Sequence, residues 1–172
     1  MKKPIYLIAL LVAILGFWSC ENDDDDPVLV SKLEVKEFTS EALSNNPIGN
    51  PDVRKLQVYL PKGYDQSNAK KYPVVYLLHS LPFTEESFIS PETWDPWIGG
   101  ASPFQTFPDF PENGFKNWID GLIDSGLIDP MIIVMPNAES MYGFSWYSNS
   151  ELNGGFEDYI VNDLVCFIDS SY

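Results

Sequence analysis

Between Val53 and Leu60 the chain alternates, with Leu56, Val58 and Leu60 on one side of an extended backbone and Lys55, Gln57 and Tyr59 on the other. That period of two predicts a half-exposed antiparallel strand, which Pro61-Lys62-Gly63-Tyr64-Asp65 then breaks. Lys32 to Phe38 alternates more weakly and is its expected partner. Pro73 to Leu78 and Met131 to Met135 are unbroken apolar runs, the pattern of strands covered on both faces. Between them Phe115, Trp118, Ile119, Leu122 and Ile123 recur at helical spacing, with Asn113 as N-cap and Gly126 as stop.

Strand, helix and strand in that order make a parallel pair with a helical crossover. The predicted fold class is therefore α/β, an antiparallel start followed by a parallel βαβ unit. A second helix is expected after Gly154-Gly155, its apolar stripe formed by Phe156, Tyr159, Ile160, Leu164, Phe167 and Ile168. Glu157 and Asp158 fall in its first turn, where the helix dipole favours negative charge. Cys166 lies in the apolar run Leu164 to Ile168 and is expected to be a small buried hydrophobe rather than a nucleophile.

The N-terminus follows a different pattern. Lys2 and Lys3 precede a 13-residue apolar run, Ile5 to Phe17, then Ser19-Cys20. The run is shorter than the ~20 residues that span a bilayer as a helix, so it reads as a cleaved export signal. Residues 1–19 resemble a lipoprotein signal peptide, which implies acylation of Cys20 and a membrane attachment through lipid. Residues 20–30 then form a tether, because Asp23 to Asp26 repel one another and stay hydrated. An acidic run in that place also resembles the surface-export signals of lipoproteins from the Bacteroidetes. The expected location is the outer membrane or cell surface of a Gram-negative bacterium.

The chain carries 10 basic and 25 acidic residues, a net charge of −15. Loss of Lys2 and Lys3 with the signal leaves 8 against 25, or −17, a field that repels nucleic acid. With one histidine and two cysteines, one of them assigned to lipid, neither a metal site nor an intrachain disulfide is expected. No cofactor is implied. Residues 31–172 are enough for one core-forming domain. Within it Leu81 to Pro111 shows no period but is rich in aromatics (Phe83, Phe88, Trp94, Trp97, Phe104, Phe107, Phe110), which either line a substrate cleft or cover the sheet edge.

Val58-Tyr59-Leu60-Pro61-Lys62-Gly63-Tyr64 and Tyr72-Pro73-Val74-Val75-Tyr76-Leu77-Leu78-His79-Ser80-Leu81 resemble the putative-esterase family of α/β-hydrolases. That family includes S-formylglutathione hydrolases, feruloyl esterases, enterochelin esterases and mycolyltransferases. Thr84-Glu85-Glu86-Ser87-Phe88, Met131 to Asn137 and Phe156 to Ile160 continue the likeness in order. The resemblance implies that Leu81 N–H is one donor of an oxyanion hole, with His79 and Ser80 holding the turn. It also sets the loop of Trp146 and Tyr147 beside the substrate cleft, where they either contact substrate or pack on the surface, and they join Phe83 and Phe88 of the aromatic stretch as cleft candidates. Ser80 stands where the family commonly has glycine, and would be strained if that position required φ > 0.

No Gly-x-Ser-x-Gly elbow occurs in these residues, and the one histidine precedes the place where the elbow would lie. A triad base there would contradict the order serine, acid, histidine, so His79 is expected to stabilise its turn. The resemblance therefore implies the N-terminal half of an α/β-hydrolase sheet, truncated before its nucleophile and inactive alone. Its parent would be a secreted carboxylic ester hydrolase acting on an ester substrate linked to polysaccharide. A non-catalytic binding lipoprotein with an aromatic cleft, or a gene fragment without a stable product, are the other two readings.

Overall fold

A computed structural model describes residues 29–67, 69–81, 83–89 and 114–172. The expected signal, Cys20, the acidic run Asp23 to Asp26, Asn113 and the aromatics from Trp94 to Phe110 lie outside them. No helix among the described residues is long and apolar enough to cross a membrane. Strands β1 (Lys32–Thr39), β2 (Val53–Leu60), β3 (Val74–Tyr76) and β4 (Ile132–Pro136) form one sheet in the order β1-β2-β4-β3. β1–β2 and β2–β4 are antiparallel, and β3–β4 is parallel. The sheet is mixed, with the antiparallel start and the parallel βαβ unit that the hydrophobic pattern requires.

The two predicted helices are present. α1 spans Gly114–Asp124, and its apolar stripe turns Phe115 and Ile119 onto the sheet. Gly126, at φ 73°, ends it, returning its N–H to the Ile123 carbonyl (2.9 Å) while Leu127 N–H bonds Leu122 O (3.0 Å). A left-handed residue is favourable there only for glycine, which has no Cβ to clash. α2 is a continuous helical run of α-helix Phe156–Asp158, π-helix Tyr159–Leu164 and α-helix Val165–Ser171. Its buried residues are Phe156, Tyr159, Leu164 and Ile168. The step of five from Tyr159 to Leu164 is longer than an α-turn and suits the wider π turn, which keeps both side chains on the sheet.

These helices cover opposite faces. Leu56, Val58, Leu60, Ile132 and Val134 pack against α2, while Tyr59, Ile133 and Met135 pack against Phe88 and α1. Each such side chain contributes about 1.5–3 kcal/mol on leaving water. The second layer corrects the expectation for β2: Gln57 and Tyr59, read as a half-exposed face, are 4% and 0% exposed because α1 and Phe88 close over them. β3 departs in the other direction. Read as covered on both faces, it is only three residues long and lies at the sheet edge, leaving Val75 40% and Leu78 41% exposed. Cys166 is likewise exposed, since it sits between Leu164 and Ile168 on the solvent side of α2.

Small polar anchors fix the layers. Gly155 starts α2 where a Cβ would come 2.9 Å from the Ala42 carbonyl, so the loop 40–46 packs directly on backbone. Ser40 Oγ and Ala42 N–H both donate to Asp163 of α2. On the other face Asp120 of α1 accepts from Ser31 Oγ (2.6 Å), Tyr59 O–H (2.7 Å) and Lys116 Nζ (3.0 Å). Burial pushes its carboxyl pKa up, but the three donors outweigh burial and hold it below its ordinary 3.8.

Asp120→Ala strands the buried Tyr59 hydroxyl and Ser31 and is expected to cost about 3 kcal/mol in urea unfolding at neutral pH. Because the folded pKa is depressed, the contribution of the carboxylate is complete above 3.8 and is lost as pH falls through the folded value. The difference between wild type and variant should therefore shrink in the acid range. An equal difference at neutral pH and well below the folded value would contradict this account.

Candidate functional site

β3 and β4 run parallel, so their C-terminal ends open on the same side of the sheet, where ligands of open α/β sheets bind. Beyond β3 the chain makes the His79–Ser80–Leu81 turn, closed by Phe83 N–H on Ser80 O at 2.7 Å. Beyond β4 it makes the loop 137–148. His79, Ser80 and Leu81 form one wall and Ala138 with Gly143 to Tyr147 the other, enclosing a cavity of about 280 Å³.

His79 is 8% exposed and bridges the walls. Its Nε2 accepts the Ala138 N–H at 2.9 Å, and its Nδ1 lies 3.2 Å from Ser80 O. Nε2 must then be unprotonated, so the neutral ring carries its hydrogen on Nδ1, facing the carbonyl. Burial pushes its pKa below 6.5, only partly opposed by the Ser80 carbonyl. Tyr147 O–H donates to His79 O at 2.6 Å, and its ring stands edge-on to the imidazole at 5.9 Å. Burial pushes the Tyr147 hydroxyl up to about 12, so it remains a donor at physiological pH.

Trp146 and Tyr147 have φ of 58° and 51°, left-handed values that cost each residue roughly 1–2 kcal/mol. Local bonds hold that conformation. Ser140 Oγ donates to Phe144 O (2.6 Å), Gly143 N–H to Ser140 O (2.7 Å), and Tyr147 N–H to Ser145 Oγ (3.2 Å). The result turns Tyr147 inward and leaves Trp146 74% exposed on the rim, edge-on to Phe144. Ser150 Oγ accepts from Leu152 and Asn153 N–H, so Ser140, Ser145 and Ser150 all serve the loop backbone. Among the described residues no serine hydroxyl bonds His79, and no cluster of three potential metal ligands occurs.

Of the residues singled out in the sequence, the cavity gathers His79, Ser80, Leu81, Trp146 and Tyr147. Ser80 is not in the left-handed region, so its side chain introduces no strain there. The Leu81 side chain is 47% exposed, and its N–H bonds no carbonyl in the described backbone, as befits the second position of a turn. Phe83 is half-buried outside the cavity. Phe88 is 3% exposed in the core against Tyr59, Ile133 and Met135, carried there by the 3-10 turn Glu85–Phe88.

Several supporting residues escaped the sequence reading. Glu85, 3% exposed, accepts from Asn137 Nδ2 at 2.5 Å, and burial raises its pKa above the ordinary 4.5. Tyr159 O–H donates to Asn137 O at 2.9 Å. Arg54 Nη1 donates to Glu139 O at 2.9 Å. Arg54 could have been found, because it shares the parity of Leu56, Val58 and Leu60 and is thus a charge at a core-facing position.

Residues 50–172 match the family described as Putative esterase. Among solved structures, a ferulic acid esterase aligns at 24% identity and TM-score 0.58, over 84% of this chain and 44% of its own. A ferulic acid esterase from Anaeromyces mucronatus, in complex with ferulic acid, aligns at 21% and 0.51, over 86% and 45%. A feruloyl esterase module from Clostridium thermocellum, complexed with sinapinate, aligns at 21% and 0.50, over 83% and 36%. The chain thus spans less than half the length of these structures, and at such identities the likeness is one of fold. The family match covers well over half of the sequence and both walls of the cavity, and the chain therefore belongs to the esterase family of that description.

Proposed function

We propose that this chain supplies the oxyanion side of a carboxylic ester hydrolase cleft. The observation that supports the proposal is the Ser80–Phe83 turn, which puts Leu81 in the lining of a mostly apolar cavity whose other wall includes Trp146 and Tyr147. In the reaction a serine hydroxyl adds to the ester carbonyl while a base takes its proton. The carbonyl oxygen becomes an oxyanion, which the Leu81 N–H and one further donor stabilise because their dipoles are already fixed. The alkoxide departs as an alcohol on protonation, and water then releases the acid from the acyl-serine.

The serine, its base and the acid are assigned to a segment beyond these 172 residues. β3 supports that assignment, since its outer edge pairs with no strand among the described residues. A parallel strand seated there would end beside the same cavity. Ferulic acid and sinapinate, held by two of the structural neighbours, are planar aromatic acids, and an acyl group of that class suits the apolar wall. Attachment of that acyl group to polysaccharide fits an exported enzyme, and Cys20 is proposed as its lipid anchor behind the 1–19 signal.

Purified as 172 residues, the chain is expected to hydrolyse p-nitrophenyl acetate no faster than a matched blank. Extension by a segment carrying a Gly-x-Ser-x-Gly strand is expected to confer turnover that a fluorophosphonate abolishes. Fluorophosphonate-sensitive turnover by the 172 residues alone would overturn the division of labour. In a separate test, labelled palmitate should enter the wild-type precursor expressed in a Gram-negative host and not Cys20→Ala, which should leave the membrane fraction. Equal labelling of both would remove Cys20 as the anchor.

A further inference from the structure

Arg54 is 5% exposed, on the α2 side of β2, and nothing in the proposed chemistry uses it. Its guanidinium lies 5.1 Å from the ring centre of Phe156 and 5.9 Å from that of Tyr159. Nη1 bonds the Glu139 carbonyl, but Nε and Nη2 have no hydrogen-bond partner among the described residues. Glu139, Glu85 and Asp52 favour its charge only through space. A buried cation with two donors unpaired is a costly way to fill a core.

We infer that Arg54 is a positioning residue of the cleft, holding the segment 137–139 so that the Ala138 N–H meets His79 Nε2. The grip has two arms. Directly, Nη1 fixes the Glu139 carbonyl. Indirectly, the cation stacks on Tyr159, whose hydroxyl holds the Asn137 carbonyl. That carbonyl and the Ala138 N–H belong to one planar peptide, so fixing its oxygen aims its hydrogen. The hydrogen selects the Nδ1–H form of His79, and His79 through its own carbonyl and Ser80 orders the turn that presents Leu81.

The inference rests on reading this cavity as the ester cleft. Its test reads a histidine rather than turnover, so the two can fail separately. The chain has one histidine, and its ring nitrogens give an unambiguous NMR signature. Arg54→Met is expected to fold with little loss of stability, since methionine fills the volume without stranding donors. Its His79 should nevertheless lose the single Nδ1–H pattern, because the Ala138 N–H no longer fixes Nε2 as acceptor.

Leu164→Ala, a cavity in the same core, serves as control and should melt lower with His79 unchanged. A wild-type tautomer in Arg54→Met would overturn the inference, as would an equal disturbance in Leu164→Ala. If Arg54→Met does not fold, Arg54→Lys decides. It keeps a charge but not the planar fork, and should shift His79 partway; wild-type behaviour there is the overturning result.

Discussion

β4 has no exposed residue, and every other element takes its place from that fact. Ile132 and Val134 enter one core while Ile133 and Met135 enter the other, so both faces must be covered before β4 can leave water. β2 and β3 satisfy its two edges, one antiparallel and one parallel, and α1 and α2 satisfy its two faces. A slip of one residue against β2 would exchange the two sets of side chains. The chain beyond Pro136 therefore leaves the sheet at one fixed point, close to the end of β3. The cavity is a consequence of that double burial.

What happens beyond Pro136 is decided by hydrogen bonds rather than by apolar area. The loop 137–148 carries consecutive left-handed residues that are not glycine, a conformation uncommon for bulky side chains. It persists because its ends are held: one by Arg54, Tyr159 and the Glu85–Asn137 pair, the other by Tyr147 on the His79 carbonyl. Strain of this kind is maintained where the surroundings over-determine the backbone. The cost is local, and the large cores on either side of the sheet absorb it.

This division explains what the sequence made legible. Elements whose side chains choose between water and core announce themselves by period, and β2, α1 and the α2 stripe follow from it. The period says nothing about what covers the other face, so Gln57 and Tyr59 read as solvent-facing until α1 is in place. Cys166 read as buried because its neighbours are apolar, although α2 rotates it away from them. Phe88 read as a cleft residue because its segment has no period, whereas a 3-10 turn drives it into the core. Residues such as Glu85, Asn137 and Arg54 act through contacts between distant parts of the chain, 52 residues apart for Glu85 and Asn137 and 85 for Arg54 and Glu139. No local pattern encodes such contacts.

His79 shows most clearly how geometry limits chemistry. A general base needs a ring nitrogen with a free lone pair facing the proton it takes. Here that lone pair, on Nε2, already receives a backbone N–H, and Nδ1 faces a carbonyl. Protonating Nε2 would set one donor against another, and burial already holds the folded pKa below 6.5. The sign of the linkage follows. As pH falls through 6.5 the unfolded chain takes up a proton that the folded cleft refuses, so the fold loses stability until the folded pKa is reached. A residue that joins two walls at the expense of its own basicity is a structural bridge, and the proton transfer of the proposed ester hydrolysis falls to another group.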